Sequence, residues 1–265
     1  MRWGIIAAVP ARERTFRTEA IVLRRRDFGE ADRLLTLLTP GRGKLRAVAK
    51  GIRKPTSRKG GHLELFIRSR LLLAAGHDLD IITQAETVDA YRPLREDLLR
   101  GAYASYAVEL LDQLTPDGQE NPEIFDLLAA ALGWFGSAAD LALTARYYEL
   151  HLLGLSGFQP ELRRCVIGGE EIVAEDQFFS ALLGGAVCAR CGESRPDLLP
   201  VSLAALKHLR YFQSQPYLTA IALQVRPSMH AELERLMLRY ITSILERQLK
   251  SVEFLKLIRK EASAT

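Results

Sequence analysis

The chain has 265 residues, 48% of them hydrophobic and 26% charged, with a net charge of +4. That length and balance allow two or three globular domains with buried cores and exclude a fibrous or wholly disordered chain. Apolar runs fall far short of the ~20 residues a membrane span needs, so no membrane partner is expected, and three cysteines, an odd number, argue against a disulfide framework.

The charge is unevenly placed. Residues 1–70 hold 18 Lys and Arg against 6 Asp and Glu, which leaves the remainder net acidic. Between 41 and 70 the ratio is 10 to 1, the one acid being Glu64. A local surplus of this size concentrates polyanions at a surface, and nucleic-acid backbone is the first partner to consider.

Residues 1–14 read as a flexible leader. The apolar stretch 5–10 is short, and Arg12 and Arg14 follow without a small-residue cleavage site, so no secretory signal is read and a cytoplasmic protein is expected. From 15 to 91 the texture is β. Strands are expected over 19–24, 33–39, 44–50, 65–73 and 79–83, with Pro40-Gly41 and Gly76-His77-Asp78 as turns. KLRAVAK (44–50) alternates with period two, a half-buried strand with its basic groups on the wet face. Five short strands in about 75 residues suggest a small closed barrel, of which the OB-fold is the commonest nucleic-acid binder; periodicity does not separate it from an SH3-like barrel.

After Pro93 the period becomes helical. Helices are predicted over 94–114, over 123–135 with Asn121 as N-cap and Pro122 at its first position, and over 138–155 with Gly154 and Gly157 closing it. Residues 160–198 are irregular and hold all three cysteines. Ser202 caps a helix over 203–212, and a long helix is predicted over 231–250, with Leu233, Met237, Tyr240, Ile244 and Leu245 on one stripe. The whole is an α+β chain: a barrel at 15–91, a helical domain at 92–159 and 199–262, and an insertion at 160–198.

Three constellations could carry chemistry. The first is cationic: Arg24, Arg25, Arg26, Arg42, Lys44, Arg46, Lys50, Arg53, Lys54, Arg58 and Lys59, with glycines that permit close approach to phosphates. Aromatics are sparse there (Phe16, Phe28, Phe66), so backbone contact should dominate over base stacking. The second is Cys188-x-x-Cys191, half of a zinc knuckle, with Cys165 upstream and Gly168 where its mate should stand. Three thiolates hold zinc only with a fourth ligand, for which His151, Glu170, Glu171 or a water are candidates. A structural metal fits better than a catalytic one. The third, the acids Glu170, Glu171, Glu175, Asp176, Asp78 and Asp80, could suit Mg²⁺ but falls in two separate modules, and no phosphate-binding loop or hydrolase motif accompanies it. No catalysis is expected. The closing helix, with Arg239, Arg247, Lys250, Lys256, Arg259 and Lys260, reads first as a core stripe with a solvated face; the functional alternative is a groove beside it that accepts an acidic, apolar peptide.

TEAIVLR (18–24), EADRLLT (30–36), Gly43-Lys44, Ala49-Lys50-Gly51 and Arg53-Lys54-Pro55 together resemble the start of the bacterial recombination mediator family RecO. GLSGFQPELRRC (154–165), GGAVCARC (184–191) and LKSVEFL (249–255) are similar to that family's later segments, in order and spacing, over about residues 15–258. The resemblance implies an N-terminal OB-fold, a helical body, a zinc-binding insertion and a non-enzymatic role in recombinational DNA repair by the RecF pathway, in the cytoplasm at the nucleoid. It further implies binding to single- and double-stranded DNA, strand annealing, contact with the C-terminal tail of the single-strand-binding protein SSB, and loading of RecA with RecR. DNA contact carries over to Arg42, Lys44, Arg46, Lys50, Arg53 and Lys54, and zinc ligands to Cys165, Cys188 and Cys191. Gly168 departs from the pattern of the family's metal-binding members, which have cysteine there; other members lack the cysteines altogether. The rivals are an RNA-binding barrel with a zinc ribbon, tied to the ribosome or RNA metabolism, a metal-dependent nuclease or ligase, and a scaffold for acidic proteins.

Overall fold

A computed structural model describes residues 14–193 and 195–262; nearly all of the expected leader lies outside them. The chain divides into two compact units between Ala90 and Tyr91.

The first unit is five strands: β1 (Thr15–Phe28), β2 (Asp32–Thr39), β3 (Gly43–Ala49), β4 (Arg68–Ala74) and β5 (Asp80–Asp89). They form a closed barrel in the order β1-β2-β3-β5-β4, with β4 returning to β1 and the β3–β5 pair parallel. The β3–β5 seam is short, Ala47 and Val48 against Asp80 and Ile81, which fits the partly open barrel of an OB-type fold. Strand β1 is long because it serves two neighbours. Residues 15–21 pair with β4, residues 21–28 pair with β2, and a bulge between Val22 and Arg24 bends it from one to the other. Period-two alternation fills the interior with Ala20, Val22, Leu35, Leu37, Ala47, Leu71, Leu73 and Ile82, all nearly inaccessible. Each fully buried Leu contributes roughly 1.5–3 kcal/mol.

The strand boundaries differ most from the sequence reading at β1, which runs 15–28 rather than 19–24, at the start of β4 and at the end of β5. Strand β4 begins at Arg68 rather than 65 because Phe66 takes a left-handed conformation (φ 70°), and its N–H donates to the Val22 carbonyl (3.0 Å), pinning the β1 bulge. Strand β5 continues past 83 to Asp89, pairing with β4 as far as Arg68. The expected turn between them is tight. A Cβ on Gly76 would stand 1.9 Å from the Leu79 carbonyl oxygen, a backbone atom that cannot swing aside. Gly76→Ala is therefore expected to destabilise the barrel by ~1–3 kcal/mol, read as a lower midpoint of urea unfolding.

The second unit holds α1 (Pro93–Glu96), α2 (Leu98–Leu114), α3 (Pro122–Ser137), α4 (Leu141–Leu155), then β6 (Gln177–Ser180), β7 (Gly185–Val187), α5 (Ala189–Gly192) and β8 (Leu199–Val201). Helices α6 (Leu203–Ser214), α7 (Tyr217–Ala220), α8 (Pro227–Leu245) and α9 (Lys250–Ala262) follow. Strands β7-β6-β8 form a small antiparallel sheet; β6 and β7 lie in the expected insertion (160–198), and β8 falls just past its end. Asn121 and Ser202 cap α3 and α6 as read, accepting the N–H of Ile124 and Ala205. Asp97 and Asp140 do the same for α2 and α4, so those helices start at 98 and 141 instead of 94 and 138. Gly157 is left-handed (φ 83°) just past the end of α4.

The long terminal helix is two helices. α8 stops at Leu245, Glu246 turns left-handed (φ 54°), and α9 runs from Lys250. The break is made from outside the segment. Both carboxylate oxygens of Glu109 on α2 accept the N–H groups of Lys250 and Ser251 (3.1 and 2.7 Å), capping α9, and Arg259 ties it to Glu234 and the Tyr103 hydroxyl.

Candidate nucleic-acid interface and metal cluster

Residues opposite one another on paired strands share a face. On the outer face of β1, β2 and β3 the register gives the rows Arg24–Thr36–Arg46 and Arg26–Leu34–Val48. The bulge at Leu23 sets this phase. It sends Arg24 and Arg26 outward and leaves Arg25 on the lining side, opposite Leu35. Lys50 follows the inward Ala49 and is exposed, as are Arg24, Arg26 and Arg46. Arg24 and Arg46, two strands apart, are separated by about 10 Å at the backbone. Four exposed cations thus share one face, with half-buried Thr36 between Arg24 and Arg46 and the buried Leu34 and Val48 beside Arg26. Phe28, at its end, is 44% exposed, whereas Phe16 and Phe66 are buried.

The other cations are placed differently. Lys44 belongs to the same outer face but is only 7% exposed, opposite Leu38, itself buried, so the wet-face expectation fails for it. Arg42 lies at the β2–β3 turn, with its guanidinium 3.5 Å from the centre of the Phe16 ring, and so closes one end of the barrel. Near the other end Arg25 pairs with Glu64, Arg33 with Glu64 (3.0 Å) and Asp27 (3.5 Å), and Arg53 with Asp27 (3.4 Å). Burial, then Arg33, holds Arg25 below the usual guanidinium range, with Asp27 opposing. Lys59 donates to the Ile82 carbonyl (3.0 Å), and burial lowers its pKa. Lys54 and Arg58 remain exposed on the 50–62 loop, which is pinned where the N–H of Gly51 meets Asp32 (2.7 Å) and that of Arg53 meets Ala31 (2.9 Å).

In the second unit, Cys165, Glu170, Cys188 and Cys191 offer ligand atoms all within 4.8 Å of one another. Tetrahedral zinc with thiolate bonds of ~2.3 Å would hold its donors about 3.8 Å apart, so a small contraction suffices. The backbone around them has the form of a knuckle. The Cys165 sulfur accepts N–H groups of Gly168 (3.3 Å) and Cys188 (3.4 Å), and the Cys188 carbonyl accepts those of Cys191 and Gly192. Burial opposes ionisation of Cys165, but the N–H groups of Gly168, Cys188 and Ile167 overcome it and bring the thiol down to about 6. Burial pushes Cys188 up, and the neighbouring Cys165 adds to that. The donor set of three thiols and a carboxylate suits zinc.

Of the fourth-ligand candidates, only Glu170 joins the cluster. His151 is engaged elsewhere, its Nε2 bonded to the Phe212 carbonyl (3.0 Å) and its ring against Tyr147. Glu171 pairs through its backbone with Arg164. Asp176 accepts the N–H of Leu203, and Asp78 pairs with His77 in the other unit, so the acids seen in the sequence do not converge.

Between α8 and α9 runs a groove of about 520 Å³, lined by Leu238, Ile241, Leu249 and Val252 and by Arg235, Arg239 and Lys256. No helix among the described residues is long and apolar enough to cross a membrane.

Comparison with known proteins agrees with the geometry. Residues 14–91 match the family described as recombination protein O N terminal, and residues 95–253 its C-terminal counterpart. A DNA repair protein RecO of Roseiflexus sp. (strain RS-1) is 45% identical over 249 residues, 94% of this chain and 88% of that protein. Proteins of the same name from Pelotomaculum thermopropionicum and Dehalococcoides mccartyi are 39% and 36% identical, each over 240 residues and 91% of this chain. These names describe a DNA repair protein, and nothing in them favours the RNA-binding alternative. The chain belongs to the RecO family of DNA repair proteins.

Proposed function

We propose that the outer face of β1–β3 holds the sugar–phosphate backbone of single- and double-stranded DNA, and that the protein anneals complementary strands without catalysing any bond change. The observation that carries this reading is the strip of Arg24, Arg26, Arg46 and Lys50 around Thr36. Two polyanions repel until cations screen them. A strip with Phe28 as its one exposed aromatic neutralises phosphates while leaving bases unstacked and free to pair.

By family membership, we further infer contact with SSB and RecR and assistance in loading RecA onto SSB-coated strands, in the cytoplasm at the nucleoid. The SSB tail, an acidic and apolar peptide, suits the cationic, apolar groove between α8 and α9. We retain the division into barrel (15–91), helical body (92–159 and 199–262) and insertion (160–198). In the insertion, zinc on Cys165, Cys188 and Cys191 would serve to hold the loops together.

The test is annealing of complementary oligonucleotides, naked and SSB-coated, without ATP. The protein should speed duplex formation on both, and on coated strands the gain should shrink when SSB lacks its C-terminal tail. No acceleration on either substrate overturns the annealing reading; indifference to the tail overturns the groove assignment.

A further inference from the structure

We propose that Glu170 is the fourth metal ligand, its carboxylate standing in the space that a side chain at position 168 would fill. The inference rests on the zinc reading of the cysteine cluster and extends it to this chain's departure from four cysteines.

The geometry is specific. A Cβ built on Gly168 would meet Glu170 Oε2 at 2.0 Å, its Cδ at 2.8 Å and Oε1 at 3.0 Å. The carboxylate therefore occupies the position toward which residue 168 points, and the two side chains exclude each other. The turn makes this reach possible. Gly169 is left-handed (φ 79°), its N–H donates to the Cys165 carbonyl (2.8 Å), and the Cys165 N–H donates to the Glu170 carbonyl (2.7 Å). Folding back in this way brings residue 170 level with Cys165, so a longer side chain from 170 ends where a shorter one from 168 would. The carboxylate oxygen lies with the three sulfurs in one 4.8 Å cluster.

The charge balance is also preserved. Three thiolates and a carboxylate present the same four negative charges to the ion as four thiolates do, and carboxylate is an ordinary zinc donor. Arg190 offers a rival role for Glu170, since the two form an ion pair. Their side chains are 76% and 44% exposed, and an exposed pair contributes little to stability. That pair alone does not account for the placement of the other oxygen against Gly168.

The experiment uses the full-length protein, zinc competition against a chromophoric chelator, and the charge-transfer band of the cobalt(II) form. Wild type should bind one ion. Glu170→Ala should weaken zinc binding at least about tenfold, while Arg190→Ala should leave it unchanged. Gly168→Cys combined with Glu170→Ala should restore wild-type affinity or better, with a cobalt band about a third stronger for four thiolates against three.

If wild type binds neither zinc nor cobalt, the zinc reading itself falls. If it binds and Glu170→Ala binds equally well, the zinc reading stands and Glu170 is not a ligand. Equal losses in Glu170→Ala and Arg190→Ala assign the carboxylate to the ion pair and overturn the proposal. A loss in Glu170→Ala that the double variant does not recover assigns it to misfolding of the turn, which also overturns the proposal.

Discussion

Replacing Arg24, Arg26, Arg46 and Lys50 together with glutamate should reduce single-strand binding roughly a hundredfold or more at ~0.1 M salt, with the fold intact. All four side chains are exposed and none lies in the barrel core, so circular dichroism and unfolding midpoint should stay near wild type. The salt dependence is the sharper readout. Each phosphate left without its cation flattens the slope of log K against log salt by about 0.7 on single strands and 0.9 on duplex. Arg17 and Arg70 provide the control. They lie on β1 and β4 by a different shallow depression, and Arg70 is held by Glu19 (3.6 Å) and Glu86 (3.5 Å). Reversing those two should leave affinity nearly unchanged. Equal losses from both sets would mean that only net charge matters and that the strip has no special standing.

The second large effect concerns stability. Arg146 and Glu149, on α4, are an ion pair sealed in the helical unit, their side chains 3% and 0% exposed. The Tyr106 hydroxyl also donates to Glu149 Oε1 (2.6 Å), while Glu149 Oε2 and the Nε and Nη1 of Arg146 have no hydrogen-bond partner among the described residues. Glu149→Leu would leave the guanidinium alone in an apolar core, with an expected cost of about 3–5 kcal/mol. Adding Arg146→Met should return most of it, since well-packed apolar replacements of a buried pair are often neutral. Urea unfolding of the two variants reads this directly; a small loss in the single variant would show that water reaches the pair.

The same pair gives the fold a pH dependence. Burial raises Glu149 to about 7, against the pull of Arg146 and the Tyr106 hydrogen bond. Its folded pKa therefore lies above the unfolded value near 4.3, and the folded state binds the extra proton. The resulting stability is fully present below the unfolded pKa and is lost as pH rises through about 7. Glu149→Gln, which cannot ionise, should remove that part of the decline between pH 4.5 and 7.

Much of the barrel was legible because its signals are local. Pro40-Gly41 and Gly76 mark turns wherever they occur, and 44–50 alternates whatever surrounds it. The caps Asn121 and Ser202 are of the same kind. What escaped the sequence was set by partners far along the chain. The stripe through Ile244 and Leu245 keeps its period straight into Leu249; the interruption comes from Glu109, more than 130 residues earlier. Lys44 looked like its neighbours Arg46 and Lys50, yet it falls opposite Leu38 and is withdrawn from solvent. At the cysteines, spacing singled out three candidate ligands and a gap at 168. Choosing Glu170 over Glu171 or His151 needed the left-handed turn at Gly169.

The irregularity at Leu23 has a consequence for how this family member can vary. A strand carries only two phases, and the extra residue switches β1 from one to the other midway, with Phe66 and Ile67 clasping Val22 at the changeover. Deleting the extra residue would straighten β1 without turning either half over: Val22 would stay inward and Arg24 and Arg26 outward, still opposite Leu37, Thr36 and Leu34, and the strand would lose the bend that carries it from β4 to β2.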